Sequence, residues 1–259
     1  MSYNFYDFQN AIQQRNDYVE DQLRDGSPVI GISCPDGIVL FTLRGSQRKL
    51  FEVYDRIAYG AMGRQSDVES IRIASIDTAH REGFQRSEDD VCLSRLVGFG
   101  ISPAVKQVYN DQRAVPLTIR ALYAELHDNG SDDVFCTLNY DGEYRISKGS
   151  AVITGVRSAD DSAKELLKDA CPSSRDEAIK VAAKVWAHAY TAMRHARKPG
   201  GDVDENGVRL TPDAAFKGAL DKGLMLEAAF LTRSTSRTSR FECCTPEVVS
   251  AAVAGLDFG

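Results

Sequence analysis

Residues 27–64 read SPVIGISCPDGIVLFTLRGSQRKLFEVYDRIAYGAMGR, and the way this stretch folds decides the architecture around it. Val29-Ile30-Gly31-Ile32 is a short apolar run bounded by turn residues, the pattern of a buried strand. Pro35-Asp36-Gly37 then supplies a turn: proline pre-sets φ, aspartate bonds back to its own backbone, and glycine takes positive φ without steric cost. Ile38-Val39-Leu40-Phe41 returns, so the two runs form a β-hairpin. A basic turn with Arg44, Arg48 and Lys49 follows, then a second apolar run over 50–57 and a glycine-containing strand end over 60–63. A helix opens at Ser66, where Ser66-Asp67-Val68-Glu69 has the form of a capping box, and continues to about 86.

Toward the N-terminus, residues 8–23 read as an amphipathic helix. Phe8, Ala11, Ile12, Tyr18, Val19 and Leu23 share one face, Asp7 stands at the N-cap position, and Asp25-Gly26 stops it. Toward the C-terminus, Ser87 caps a helix running to about 111, with a kink or break near 98–103 where Gly98, Gly100 and Pro103 fall. Strands follow over 117–126, 133–139, 143–146 and 151–155, with Tyr140-Asp141-Gly142 as a turn. Helices are read over 158–169 and, behind a second capping box at Ser174, over 174–196. Residues 198–223 are a Gly-, Pro- and Asp-rich excursion read as an inserted acidic loop. Two late strands, 224–232 and 241–244, are joined by a Ser/Thr/Arg loop read as solvated, and 246–254 closes the chain as a helix. Helices, strands and helices in this order around two sheets specify an α+β fold, a four-layer α-β-β-α sandwich in a single domain over 1–259.

Bulk properties narrow the function classes. The 259 residues are 43% hydrophobic, enough for a packed core, and carry 31 Lys and Arg against 37 Asp and Glu, a net charge of −6. Nucleic acid and anionic membrane surfaces need clustered positive charge, so neither is a partner. No apolar run approaches the ~20 residues of a membrane span. The opening MSYNFYDFQN has neither a basic nor an apolar signal region, so it is read as not secretory. Six scattered cysteines read as buried thiols of a reducing cytoplasm rather than a disulfide framework.

The motifs in sequence order resemble the proteasome α-type subunits, most of all those of the bacterial, actinobacterial-style 20S proteasome, which have the N-terminal nucleophile (Ntn) hydrolase fold. The resemblance covers about residues 5–255. It is carried by the hairpin and by Lys49, Glu52, Tyr54, Asp55 and Arg56, which match a K-x-x-E-x-Y-D-R stretch. The Tyr140-Asp141-Gly142 turn adds to it, as does the late strand with Leu226, Glu227, Ala229 and Leu231 followed by Arg240-Phe241. The first helix carries fewer basic residues than that family's, the 92–110 helix is slightly longer and contains a proline, and 202–213 is more acidic. The resemblance implies a non-catalytic subunit in a seven-membered ring stacked on β subunits that carry the catalytic threonine. It implies no cofactor. It implies a gate built from Met1, Ser2, Tyr3, Asn4, Phe5, Tyr6 and Asp7, although Phe8 replaces the arginine of the archaeal Tyr-Asp-Arg. It further implies a pocket for the C-termini of an ATPase or other activator, formed by Lys49, Gly63 and Arg64, in which the Lys49 ammonium would pair with a terminal carboxylate.

An enzyme reading competes. Gly26-Ser27 stands where a catalytic subunit has glycine followed by its nucleophile, and a freed Ser27 would combine hydroxyl and amine in a self-processing hydrolase. Leu43 at the place of the orienting carboxylate, Pro28 after the serine, and a patterned helix in place of a disposable leader all argue against it. The four histidines offer no triad spacing. Asp202, Asp204, Asn206 and Asp213 approximate a calcium loop, but Asp213 replaces the closing glutamate and Pro199-Gly200-Gly201 displaces the helix that should precede it. The stretch is therefore read as an acidic loop without metal.

Overall fold

The computed structural model describes residues 5–111, 113–197, 209–235, 237 and 239–258. Strand β1 (Val29–Cys34) closes antiparallel on β2 (Gly37–Arg44), with Val29 opposite Thr42 and Cys34 opposite Gly37. Gly37 sits at φ +154°, where a Cβ would fall 1.9 Å from the carbonyl oxygen of Leu231 on β9 (Met225–Thr232), which pairs along the whole of β2. Gly37→Ala should therefore cost about 2–3 kcal/mol in urea unfolding, from backbone strain plus displacement of β9; a change under 0.5 kcal/mol would mean that the strand pair yields freely.

The hairpin lies inside the first sheet. Its order is β10 (Phe241–Cys243), β9, β2, β1, β8 (Ser150–Ile153). The second sheet runs β3 (Leu50–Tyr54), β4 (Ile57–Gly63), β5 (Ile119–Glu125), β6 (Val134–Leu138), β7 (Tyr144–Lys148). The apolar run over 50–57 is thus split at Asp55-Arg56 into two strands, with a register shift between Glu52 and Tyr54.

Period-2 alternation sends the two faces of each strand to different cores. Val29, Ile38 and Leu40 meet Leu122, Phe135 and Ile153 between the sheets. Ile30, Val39 and Phe41 point the other way, against Trp186, Phe216 and Val249. On the opposite side Tyr59, Ala61 and Tyr123 meet Val68, Ile71, Val97 and Val105. Strands buried on both faces read as unbroken apolar runs, which is why 29–32 and 38–41 show no polar alternation. Each such side chain contributes about 1.5–3 kcal/mol by leaving water.

The outer layers are helical. On the second sheet lie α2 (Gln65–Gln85), α3 (Leu93–Arg95) and α4 (Ser102–Asn110). On the first lie α5 (Arg157–Lys168), α6 (Arg175–Arg197), α7 (Pro212–Asp221) and α8 (Pro246–Val253). This is the four-layer α-β-β-α arrangement. Helix α1 (Phe5–Leu23) precedes β1 and buries Val19 and Leu23 against Tyr140, while Tyr18 on the expected apolar face is exposed.

Several helix ends differ from the sequence reading. Asp7 lies inside α1 and does not cap it. Helix α2 starts one residue before Ser66, with Arg64 as N-cap and no side-chain cap. Its start is fixed instead by β5, because Arg64 N–H donates to Thr118 O (2.9 Å) and Asp67 accepts Thr118 N–H (2.8 Å). The interruption near 98–103 is a π-helical turn, Leu96–Ile101, that runs directly into α4, and Pro103 stands just after it, where the ladder is already irregular. At Ser174 half of the box forms, the hydroxyl accepting Glu177 N–H at 3.4 Å, while the Glu177 carboxylate accepts Ser173 N–H at 2.8 Å in place of Ser174 N–H.

The excursion over 198–223 is not a loop throughout. Thr211 caps α7 by accepting Ala214 N–H, and Phe216 packs edge-on to Trp186 at 5.7 Å between centroids. Residues 198–208 lie outside the described ones. The six cysteines are free thiols, but only Cys34 and Cys136 are fully buried, while Cys171 and Cys243 are exposed. Among the described residues no helix is long and apolar enough to cross a membrane.

Candidate functional site

Where α1 hands over to β1, the three residues assigned to docking come to one end of the sandwich. Lys49 immediately precedes β3. Its Nζ turns inward and donates to Ser27 O at 2.9 Å. Its main-chain N–H donates to Glu227 Oε2 at 3.0 Å, and Leu50 N–H donates to Oε1 of the same carboxylate at 3.3 Å. Burial pushes the Lys49 ammonium down to about 8, against the upward pull of Glu227. Burial likewise raises Glu227, opposed by the two N–H donors and by Arg44 and Arg48. Those guanidinium Nε atoms stand 3.8 and 3.6 Å from the Glu227 carboxylate. Arg48 also touches Cys243 Sγ.

Gly63 ends β4 at φ +135°, where a Cβ would fall 2.0 Å from Thr118 O. Arg64 follows and crosses to α1, donating to Tyr18 Oη at 2.9 Å. Gly26 lies so close to β4 that a Cβ there would fall 2.2 Å from Met62 Cε. Lys49 and Gly63-Arg64 therefore flank the 26–27 junction from two sides, with Lys49 directed inward and Arg64 along the surface.

Ser27 is buried, and its hydroxyl is engaged in packing. Trp186 Nε1 on α6 donates to Ser27 Oγ at 3.0 Å, and Thr42 Oγ1 lies 3.3 Å away. Neither neighbour is a base. The Lys49 amine meets the carbonyl oxygen of Ser27 rather than its hydroxyl. Leu43, at the position where a carboxylate would orient that lysine, is fully buried in the apolar layer with Trp186. This arrangement holds the start of β1 and does not activate a nucleophile.

The remaining sequence-assigned residues separate. Met1, Ser2, Tyr3 and Asn4 lie outside the described residues, and Phe5, Tyr6 and Asp7 form the first turn of α1. Asp202, Asp204 and Asn206 also lie outside them, while Asp213 sits in the first turn of α7 and pairs with Lys217 at 2.7 Å. Among the described residues no group of three or more His, Cys, Asp or Glu is placed to hold a metal. A cavity of about 190 Å³ beside α1 is lined by Glu20, Arg120, Tyr140 and Arg157, but its charges are paired internally, Arg120 with Asp160 at 2.6 Å and Arg157 with Glu20 at 3.7 Å.

Sequence reasoning missed a buried ion pair at the opposite end. Arg233, read as part of a solvated loop, is largely buried and donates to both oxygens of the fully buried Asp133, at 3.1 and 2.8 Å. It also donates to Pro35 O (3.0 Å), Cys34 O (3.2 Å) and His127 O. Asp133 further accepts Ser33 Oγ–H at 2.5 Å and His127 N–H at 2.9 Å. The hydrogen bond to Asp133 holds Arg233 above its ordinary range. The partners are 100 residues apart, and no local pattern joins them.

The model of the family described as Proteasome subunit matches residues 23–198. The chain is 29% identical over 247 residues to the proteasome subunit alpha of a Nocardioides species, covering 92% of this chain and 93% of that one. It is 27% identical over 214 residues to the proteasome subunit alpha of Jonesia denitrificans, covering 82% and 85%. It is 25% identical over 226 residues to that of Frankia casuarinae, covering 86% and 89%.

Proposed function

Because this chain belongs to the proteasome subunit family, we propose that it forms the outer ring of a bacterial 20S core particle, narrows the substrate entrance with the segment before β1, and docks an activator at Lys49. Its relatives are named proteasome subunit alpha, and the chain is accordingly read as an α-type subunit without a catalytic nucleophile. The observation that carries this reading is the state of Ser27: buried, with its hydroxyl held by Trp186 and Thr42, while the Lys49 amine meets its carbonyl oxygen and not its hydroxyl. The self-processing alternative is not favoured, since the Ser27 hydroxyl would have to leave Trp186 and Thr42 before it could attack the Gly26 carbonyl.

In the proposed assembly seven copies stack on β subunits that supply the threonine nucleophile, in the cytoplasm, and Met1 to Asp7 of each copy meet at the axis. An activator's terminal carboxylate docks against Lys49, with Gly63 and Arg64 at the edge of its pocket. Among the described residues Ser27 O takes one of the three ammonium donors, which leaves two for a carboxylate.

The test is co-expression with the candidate β partner, followed by gel filtration and intact mass. The expected result is a large co-assembled particle in which this chain keeps the residues before Ser27. A chain beginning at Ser27 would overturn the non-catalytic assignment, and a chain that never associates with a β subunit would overturn the ring.

A further inference from the structure

We propose that Glu227 is the positioning residue of the docking lysine, holding the main chain of Lys49 and Leu50 and keeping the Lys49 head group cationic at the pocket; this rests on the docking role proposed for Lys49. Glu227 faces Thr42 within the first sheet, yet its carboxylate reaches the entry of β3 in the second sheet. It is a buried carboxylate, at 8% exposure, in a strand that otherwise runs Ala228, Ala229, Phe230, Leu231. A charge so placed is costly unless it does something an apolar residue cannot. Here it accepts two main-chain N–H groups in the other sheet, so the path of the chain at Lys49 depends on it.

The charged groups around Lys49 come from each element packed there. Glu227 belongs to β9, Arg44 to the end of β2, and Arg48 to the turn before Lys49 itself. Cys243 of β10 touches Arg48. Glu227 is the acid that raises Lys49 against the effect of burial. Because Lys49 is pushed down to about 8, an ammonium able to pair with a carboxylate is fully present below that pH and is lost as pH rises through it. Removing the Glu227 charge leaves desolvation and two nearby guanidinium groups acting together, so the loss moves to lower pH.

The experiment follows Lys49 ionisation directly, by NMR of the full chain with ¹³C-labelled lysine. The Lys49 signal is identified by its absence in Lys49→Ala. In the native protein its midpoint should lie near pH 8. Glu227→Gln should raise its acid constant several-fold, since Glu227 is the charge that favours the ammonium there, and Glu227→Asp should restore most of the native midpoint. Arg48→Ala, at a half-exposed position, should move the midpoint the other way, because Glu227 is then less neutralised. A carboxylate that only fixed the main chain would leave the titration where it is. An unmoved midpoint in both Glu227→Gln and Arg48→Ala overturns the proposal, and should Glu227→Gln fail to fold, the sign of the Arg48→Ala shift decides. The outcome is separate from the docking reading, which falls if Lys49→Ala leaves activator-stimulated degradation intact.

Discussion

Lys49→Ala should abolish activator-stimulated protein degradation and leave hydrolysis of small peptides by the assembled core near the native rate. The ammonium is the group able to make a charge-assisted bond to a terminal carboxylate, and losing such a bond costs about 2–3 kcal/mol, or roughly 30- to 150-fold in affinity. The substitution also strips Ser27 O of its donor. Peptide hydrolysis by the same particle is the control, since it requires an assembled core but no activator. The measurement is a paired assay, a folded protein with activator present and a fluorogenic peptide without it. Stimulation that survives the substitution would remove Lys49 from docking. Peptide hydrolysis lost in parallel would instead assign Lys49 to assembly.

Asp133→Ala should lower stability by about 3–5 kcal/mol, because it leaves a buried guanidinium without its counter-charge. Arg233 is 14% exposed and Asp133 fully buried, so solvent screens the pair little. The same substitution deprives Ser33 Oγ and His127 N–H of their acceptor. At this chain length the expected fall in Tm is about 10 °C, read by thermal or urea unfolding. Arg233→Met in the Asp133→Ala background should recover part of the loss, since replacing both partners of a buried pair costs less than breaking it. A single-mutant loss below about 1 kcal/mol would mean that water reaches the site on demand. The pair clamps the β1–β2 turn of one sheet to the β5–β6 connection of the other, so its loss should loosen the end of the sandwich opposite Lys49.

The fold was readable wherever local pattern and tertiary role coincide. The Pro35-Asp36-Gly37 turn, the doubly buried strands around it and the Ser174 cap all express short-range rules, and each appears in the structure. Where a long-range contact competes, local signals lose. Ser66 has a capping-box sequence, but Thr118 claims both Arg64 and Asp67 and starts α2 earlier. Residues 212–221 looked like loop because Gly, Pro and Asp dominate the flanks, although Thr211-Pro212 is itself a helix start and Phe216 supplies the buried anchor. At the candidate site, sequence resemblance led to Lys49 and to Glu227 as separate strand motifs. That the second holds the first is a contact across 178 residues, invisible to any window of sequence. Arg233 failed for the same reason, since a run of Ser, Thr and Arg reads as solvated until Asp133 is placed beneath it.

The pairing of β2 with β9 also sets a timetable for biosynthesis. Residues 37–44 leave the ribosome early and close on β1 at once, but the opposite edge of β2 receives its partner only when residues 225–232 have been made. At 5–20 residues per second, that edge waits on the order of 10–40 s. During this time an apolar hairpin presents an unpaired strand edge, the feature that recruits other chains. Nascent copies translated side by side on one message would carry this same open edge until residue 232 emerges, which leaves that interval as the one in which they can pair with one another.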